Sequence, residues 1–114
     1  MSRLKEINAK ELFDMIQDKH YLELVDIRTP AEIRRGVIPN AKTLPMHLIP
    51  LNIDYFSLSQ KQIVIYCRTG SRSAQACRFL NQQGINNVIN LRGGIVKWSS
   101  RGLRLDPAPL DAIA

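Results

Sequence analysis

The sequence lacks several features, and each absence closes off a class of protein. No apolar run approaches the ~20 residues of a membrane span. The opening Met1-Ser2-Arg3-Leu4-Lys5-Glu6 meets charge without an apolar core region behind it, so neither a transmembrane segment nor a secretory signal is expected. Cysteine is scarce, with only Cys67 and Cys77. That excludes a disulfide scaffold and points to a reducing compartment, so the expected location is the cytoplasm. Histidine is limited to His20 and His47, far apart and without partners at ligand spacing, so no metal site is expected. Internal repeats, low-complexity tracts and linkers are absent, and six glycines and six prolines are scattered through 114 residues. A chain of this length is expected to form one domain, residues 1–114, with a core over about 7–105 and a peripheral tail around Pro107 and Pro109.

The composition that remains is ordinary for a globular protein: 45% apolar, 23% charged, formal net charge +6. A basic balance favours anionic partners, from nucleic acid or a membrane surface to a small oxyanion or an acidic protein. The bases are spread rather than blocked, and the Arg34-Arg35 pair is too short for a nucleic-acid arm. The reading is a solvated, solubilising surface with no nucleic acid and no membrane as partner.

Periodicity and caps divide the chain. Asn8 with Glu11 forms a capping-box signature opening a helix that runs to about Asp18, with Ile7 and Leu12 suited to a hydrophobic staple. Leu22 to Ile27 reads as an interior strand. Thr29-Pro30-Ala31-Glu32 opens a second, short helix that is expected to end at Gly36. A short extended stretch follows around Lys42-Thr43-Leu44, and Met46 to Ser59 predicts a helical turn or two and a loop. Gln62-Ile63-Val64-Ile65-Tyr66 is the strongest strand, and it stops abruptly at Cys67. A helix is expected from about Arg72 to Gln83 with Gly84 as its left-handed cap, then a strand over Asn87–Leu91 and a short helix after Gly93-Gly94 that holds Trp98. Strands alternating with helices at this spacing predict a three-layer α/β/α fold with a central, mostly parallel sheet.

In such a sheet ligands bind outside the carboxyl ends of the strands, which is where Cys67 stands. The segment Cys67-Arg68-Thr69-Gly70-Ser71-Arg72 sets small and polar residues between two arginines, ahead of a helix N-terminus. Its backbone N–H groups can converge on an anion. A thiol at the centre is expected to ionise, with the helix N-terminus and Arg68 or Arg72 stabilising the thiolate. The chemistry open to it is nucleophilic attack on sulfur, phosphorus or arsenic in an anionic group, without a general base. Cys77, inside the next helix among Ala74, Ala76, Phe79 and Leu80, reads as a buried structural cysteine. A Cys67–Cys77 bridge is not expected.

Three separated segments here resemble the rhodanese family. Ile65-Tyr66-Cys67-Arg68-Thr69-Gly70-Ser71-Arg72-Ser73-Ala74 is similar to the family's active-site loop and following helix. Val25-Asp26-Ile27-Arg28, Glu32 and Gly36-Val37-Ile38-Pro39-Asn40-Ala41 are similar to its first signature. Leu91-Arg92-Gly93-Gly94 with Trp98 is similar to its C-terminal one. The resemblance implies a sulfurtransferase without a cofactor. Cys67 would carry a persulfide taken from thiosulfate or another donor and passed to cyanide, a dithiol or an acceptor protein. It assigns Cys67 as nucleophile, Arg68, Thr69, Gly70, Ser71 and Arg72 as the cradle, and Arg68 and Arg72 as guides for an anionic donor. Val37 and Asn40 depart from the family's usual His and Gly.

Two other readings compete. A cysteine phosphatase or arsenate reductase also cradles an oxyanion around a thiolate, but the phosphatase signature needs Arg at the sixth position after the cysteine, where this chain has Ser73. A non-catalytic module of the rhodanese type would bind a partner only, and such modules typically lose the cysteine. Among neighbouring residues, Asp26 is expected to hydrogen-bond to backbone, Arg28 to meet Glu32 across the turn, and Trp98 to anchor packing.

Overall fold

In the computed structural model, which describes residues 4–18, 22–110 and 112–114, the apolar runs become the middle of a parallel sheet. Its strands are β1 (Glu6–Ile7), β2 (Leu22–Asp26), β3 (Lys42–Thr43), β4 (Gln62–Tyr66) and β5 (Val88–Leu91), in the order β1-β5-β4-β2-β3 with every pair parallel. Between them run α1 (Ala9–Gln17), α2 (Pro30–Ile33), a 3-10 helix (Met46–Leu51), α3 (Ile53–Ser57), α4 (Ser71–Gln82) and α5 (Gly94–Ser100). His20 lies outside the described residues.

Parallel strands need crossover connections, and those connections cover both faces of the sheet. Alternation along each strand sorts the core into two layers. Leu24, Val64, Tyr66, Ile89 and Leu91 pack with Leu12, Ile33, Ile95 and Trp98. Val25, Ile63, Ile65 and Val88 pack on the other face with Phe56, Ala76, Cys77 and Leu80. The three-layer α/β/α architecture is the expected one, with a sheet that is parallel throughout.

The local signals act as read. Asn8 Oδ1 accepts the Glu11 N–H at 2.8 Å, and the Glu11 carboxylate accepts the Asn8 N–H at 2.9 Å. Such a cap is worth about 1 kcal/mol. Thr29 and Glu32 repeat this box at the head of α2. α4 ends in a Schellman motif, with the Ile85 N–H reaching Leu80 O and the Gly84 N–H reaching Asn81 O, both at 3.0 Å.

Three boundaries differ from expectation. Glu6 and Ile7 pair with Asn90 and Leu91 as an edge strand, too short to show alternation. α2 stops at Ile33 because Arg35 and Gly36 close tighter bonds to Glu32 O and Ile33 O. The Met46–Leu51 stretch is a 3-10 helix around Pro50, whose missing N–H and ring disfavour an α-helix. The tail beyond Leu105 is mostly exposed, yet Asp106 bridges Val37 and Ala112 bridges Thr43. Trp98 is buried against Phe13 and donates its Nε1–H to Arg104 O at 2.8 Å.

Candidate active site

β4 is the central strand, and its end delivers Cys67 to the carboxyl edge of the sheet. The chain then turns over Arg68, Thr69 and Gly70 into α4. Gly70 takes φ +103°, and a Cβ there would press on Gly93 N at 3.1 Å and Leu91 O at 3.2 Å. From the other side, α5 clamps the same loop: the Ile95 N–H donates to Cys67 O and the Val96 N–H to Arg68 O, each at 3.1 Å. That approach depends on Gly94, where a Cβ would stand 2.5 Å from Cys67 O and 2.4 Å from Arg68 O. The Gly93-Gly94 pair therefore belongs to the loop's foundations as much as to α5.

The Cys67 sulfur faces the start of α4. It accepts the Gly70 N–H at 3.1 Å and the Ser73 N–H at 3.4 Å, and lies 3.3 Å from Ser73 Oγ. Burial pushes the thiol up, but hydrogen bonds from the Ser73 hydroxyl and from the backbone N–H groups of Ser73, Gly70 and Thr69 together leave it below its ordinary value. Cys77, further along α4 and fully buried, has no such donors among the described residues; burial pushes it up to about 12. Both cysteines are free thiols.

The loop residues predicted from the sequence come together, with different parts to play. Gly70 is buried beneath the turn, while Arg68, Thr69 and Ser71 are exposed around it. The Arg68 side chain has no hydrogen-bond or ion-pair partner among the described residues, and it lines a cavity of ≈ 680 Å³ together with Arg35, Glu32, Ile95, Val96 and Leu105. Cys67 is not on that cavity's wall, and its residue is 1% exposed. Arg72 has a partner of its own. Its guanidinium forms a two-point ion pair with Glu32, both contacts at 2.9 Å, and that pair holds the Glu32 carboxyl down to about 2. Neither arginine is among the sulfur's hydrogen-bond partners. Arg28 meets Glu32 through the Glu32 carbonyl, at 3.3 Å, and also donates to the Gly36 carbonyl, at 2.6 Å. Its main partner is Asp26, which it grips at 2.7–3.0 Å and which also accepts the Arg28 N–H at 2.9 Å.

With the loop, sheet and clamp in view, comparison with known proteins is decisive. The sequence matches the rhodanese-like domain over residues 8–101. The chain belongs to the rhodanese-like family. It is 50% identical over 100 residues to a protein of Allochromatium vinosum named sulfurtransferase, covering 88% of this chain and 92% of that one. Among solved structures, a rhodanese-like domain protein from Staphylococcus aureus superposes with a TM-score of 0.79 at 35% identity, over 90% of this chain and 99% of that one. A thiosulfate sulfurtransferase from Pseudomonas aeruginosa shares the fold, with a TM-score of 0.85 at 21% identity, over 96% of this chain and 21% of that one.

Within the rhodanese-like frame, both sequence departures have structural accounts. Asn40 adopts φ +69°, the left-handed conformation that Gly enters freely and Asn tolerates best among the other residues, so the turn keeps its shape. Val37 is buried in the core and bridges Asp106, so its side chain serves packing. The sixth position after Cys67 holds Ser73, fully buried, where a phosphatase would need an arginine facing the oxyanion.

Two site residues escaped the sequence reading. Ser73 touches the sulfur, and Asn90 on β5 lies 2.5 Å from Ser73 Oγ. The available signal was Asn90 itself, a polar side chain in an otherwise apolar interior strand. Such a residue needs a buried partner.

Proposed function

We propose that this rhodanese-like chain moves sulfane sulfur from thiosulfate or a persulfide donor to a thiophilic acceptor through a persulfide on Cys67. The observation that carries this reading is the Cys67 sulfur held by two backbone N–H groups, at 3.1 and 3.4 Å, at the head of the 12-residue α4. These donors stabilise a thiolate without a general base. The thiolate attacks the outer sulfur of thiosulfate; an S–S bond forms at Cys67, the donor's S–S bond breaks, and sulfite leaves with the electron pair. An acceptor nucleophile then takes the outer sulfur and returns the thiolate. The backbone from Arg68 through Thr69, Gly70 and Ser71 to Arg72 supports the outer sulfur's negative charge, and Arg68, which has no ion partner among the described residues, attracts the anionic donor.

The partner this reading favours is an acceptor protein of acidic surface, given the net charge of +6. Two free thiols support a reducing, cytoplasmic setting, and no helix among the described residues is long and apolar enough to cross a membrane. The test is intact mass after incubation with thiosulfate, beside Cys67→Ser. Gain of one sulfur by the wild type alone, and its loss to cyanide, is the expected result. No gain from thiosulfate or from a persulfide donor would overturn the reading.

A further inference from the structure

The hydrogen bonds behind the sulfur do not all fit at once. Asn90 Nδ2 lies 2.8 Å from Glu6 Oε2 and 3.3 Å from the Gly70 carbonyl oxygen. Both neighbours are acceptors, so the nitrogen end of the amide must face them and Oδ1 must face Ser73. Ser73 Oγ is 2.5 Å from Asn90 Oδ1, 3.2 Å from the Gly70 carbonyl oxygen and 3.3 Å from Cys67 Sγ. A hydroxyl carries one hydrogen. A neutral Cys67 can donate its own S–H to Ser73 and leave that hydrogen on Asn90. A thiolate cannot: to be stabilised by Ser73 it must take the hydrogen, leaving Asn90 Oδ1 against an oxygen lone pair. Ser73 and Asn90 are both buried, at 0% and 1% exposure, and an unsatisfied acceptor in such a place is costly.

We infer that Asn90, oriented by Glu6, is a positioning residue that competes with the Cys67 thiolate for the single hydrogen of Ser73. The inference rests on Cys67 being the nucleophile. The two backbone N–H groups hold the thiolate in either arrangement, and the hydroxyl is the switchable third donor. A thiolate denied that donor is more basic and more nucleophilic, because nucleophilicity falls as thiol pKa falls. When sulfur is loaded, the charge moves to the outer atom, Sγ no longer needs a third donor, and the hydrogen returns to Asn90.

The charged and titratable groups around Cys67 stand apart from this competition. Arg72 and Cys77 of α4 feel its charge, and Glu32 of α2 holds Arg72. Asp26 and Arg28 at the end of β2 are bound to each other. Arg68 and Arg92 are exposed on the flanking turns. The hydroxyl's partners among the described residues are Asn90, Gly70 and Cys67.

The test is the titration of Cys67, followed by thiolate ultraviolet absorbance and by iodoacetamide alkylation against pH, in wild type, Asn90→Leu, Ser73→Ala and the double variant. Cys77, pushed up to about 12, stays protonated through the range. Asn90→Leu frees the Ser73 hydrogen, so below the midpoint it should carry roughly tenfold more thiolate than wild type, the equivalent of one net hydrogen bond. Ser73→Ala should carry less, and adding Asn90→Leu to it should change nothing further. A merely structural Asn90 predicts the opposite sign, since a loosened loop takes donors away from the sulfur. Should Asn90→Leu fail to fold, Glu6→Gln on the exposed edge strand should shift the titration the same way by a smaller factor, and only while Ser73 is present. An unchanged or raised titration midpoint, or a lowering that survives Ser73→Ala, overturns the inference. Sulfur uptake is measured separately: no uptake with the titration as stated fails the sulfurtransferase reading alone, and normal uptake with an unmoved titration fails this inference alone.

Discussion

Replacing Gly94 by alanine separates backbone strain from steric clash, because Gly84 supplies an internal comparison. Both glycines have positive φ, +57° at Gly94 and +83° at Gly84. A left-handed backbone costs an alanine about 1–2 kcal/mol. At Gly84 nothing lies within 4 Å of the added Cβ, so Gly84→Ala should lose that amount and no more. At Gly94 the Cβ would stand 2.4–2.5 Å from the Arg68 and Cys67 carbonyl oxygens. These are backbone atoms that cannot swing aside, so α5 must retreat. Retreat breaks the Ile95 and Val96 N–H bonds to Cys67 O and Arg68 O, at about 1 kcal/mol each. Gly94→Ala should therefore lose about 3–4 kcal/mol in all, a large share of the roughly 5–15 kcal/mol that stabilises a domain. Urea unfolding of both variants measures the difference. Sulfur uptake by Gly94→Ala, under conditions where it remains folded, should be slowed as the loop shifts. Equal stability of the two variants would refute the claim that α5 clamps the loop through a position only glycine can occupy.

Other consequences are open to equally direct measurement. Glu32 is held down to about 2 by its ion pair with Arg72, so its stabilising contribution is complete above the unfolded value of ~4.3 and is lost as pH falls through the folded one. Glu32→Gln should cost roughly 1 kcal/mol at neutral pH, and denaturation at a series of pH values should show the gap to wild type closing across that acid window. Asn40→Gly should be nearly neutral and Asn40→Ala should lose about 1 kcal/mol by the same assay, since only the alanine resists the left-handed turn. Arg68→Ala should raise KM for an anionic donor with kcat and unfolding midpoint unchanged. Added salt should slow transfer to an acidic acceptor protein; a salt-independent rate would count against electrostatic docking.

Local signals in the chain were legible before the structure. The β-branched run ending at Cys67, the boxes at Asn8 and Thr29, and Gly84 behind α4 each act within a few residues, and each was read correctly. The turn from Cys67 to Arg72 was legible for the same reason: a β-branched run, then small and polar residues, then a helical period place Cys67 between strand and helix, where Gly70 and Ser73 N–H groups meet its sulfur. What escaped depends on pairings that sequence separation hides. Arg72 and Glu32 meet across 40 positions, so an arginine that reads as a substrate guide is engaged by a carboxylate from another helix. Ser73 and Asn90 meet across 17 positions because β5 pairs with β4 in one register. β1 escaped because its two residues carry no periodicity at all and owe their pairing to a partner formed elsewhere.

The position of Cys67 in the strand order also sets a timescale. β4 has a neighbour on each side and both faces covered, whereas β1 offers two residues and one neighbour. Opening in such a sheet runs from the edge inward, and the centre exchanges its amide protons only when the whole molecule unfolds. Amide exchange should therefore find the Glu6 end among the fastest positions and the Ile65-Tyr66-Cys67 segment among the slowest. The cysteine at the end of the central strand keeps the slowest clock in the protein, while the Glu6 carboxylate bound to Asn90 keeps one of the fastest.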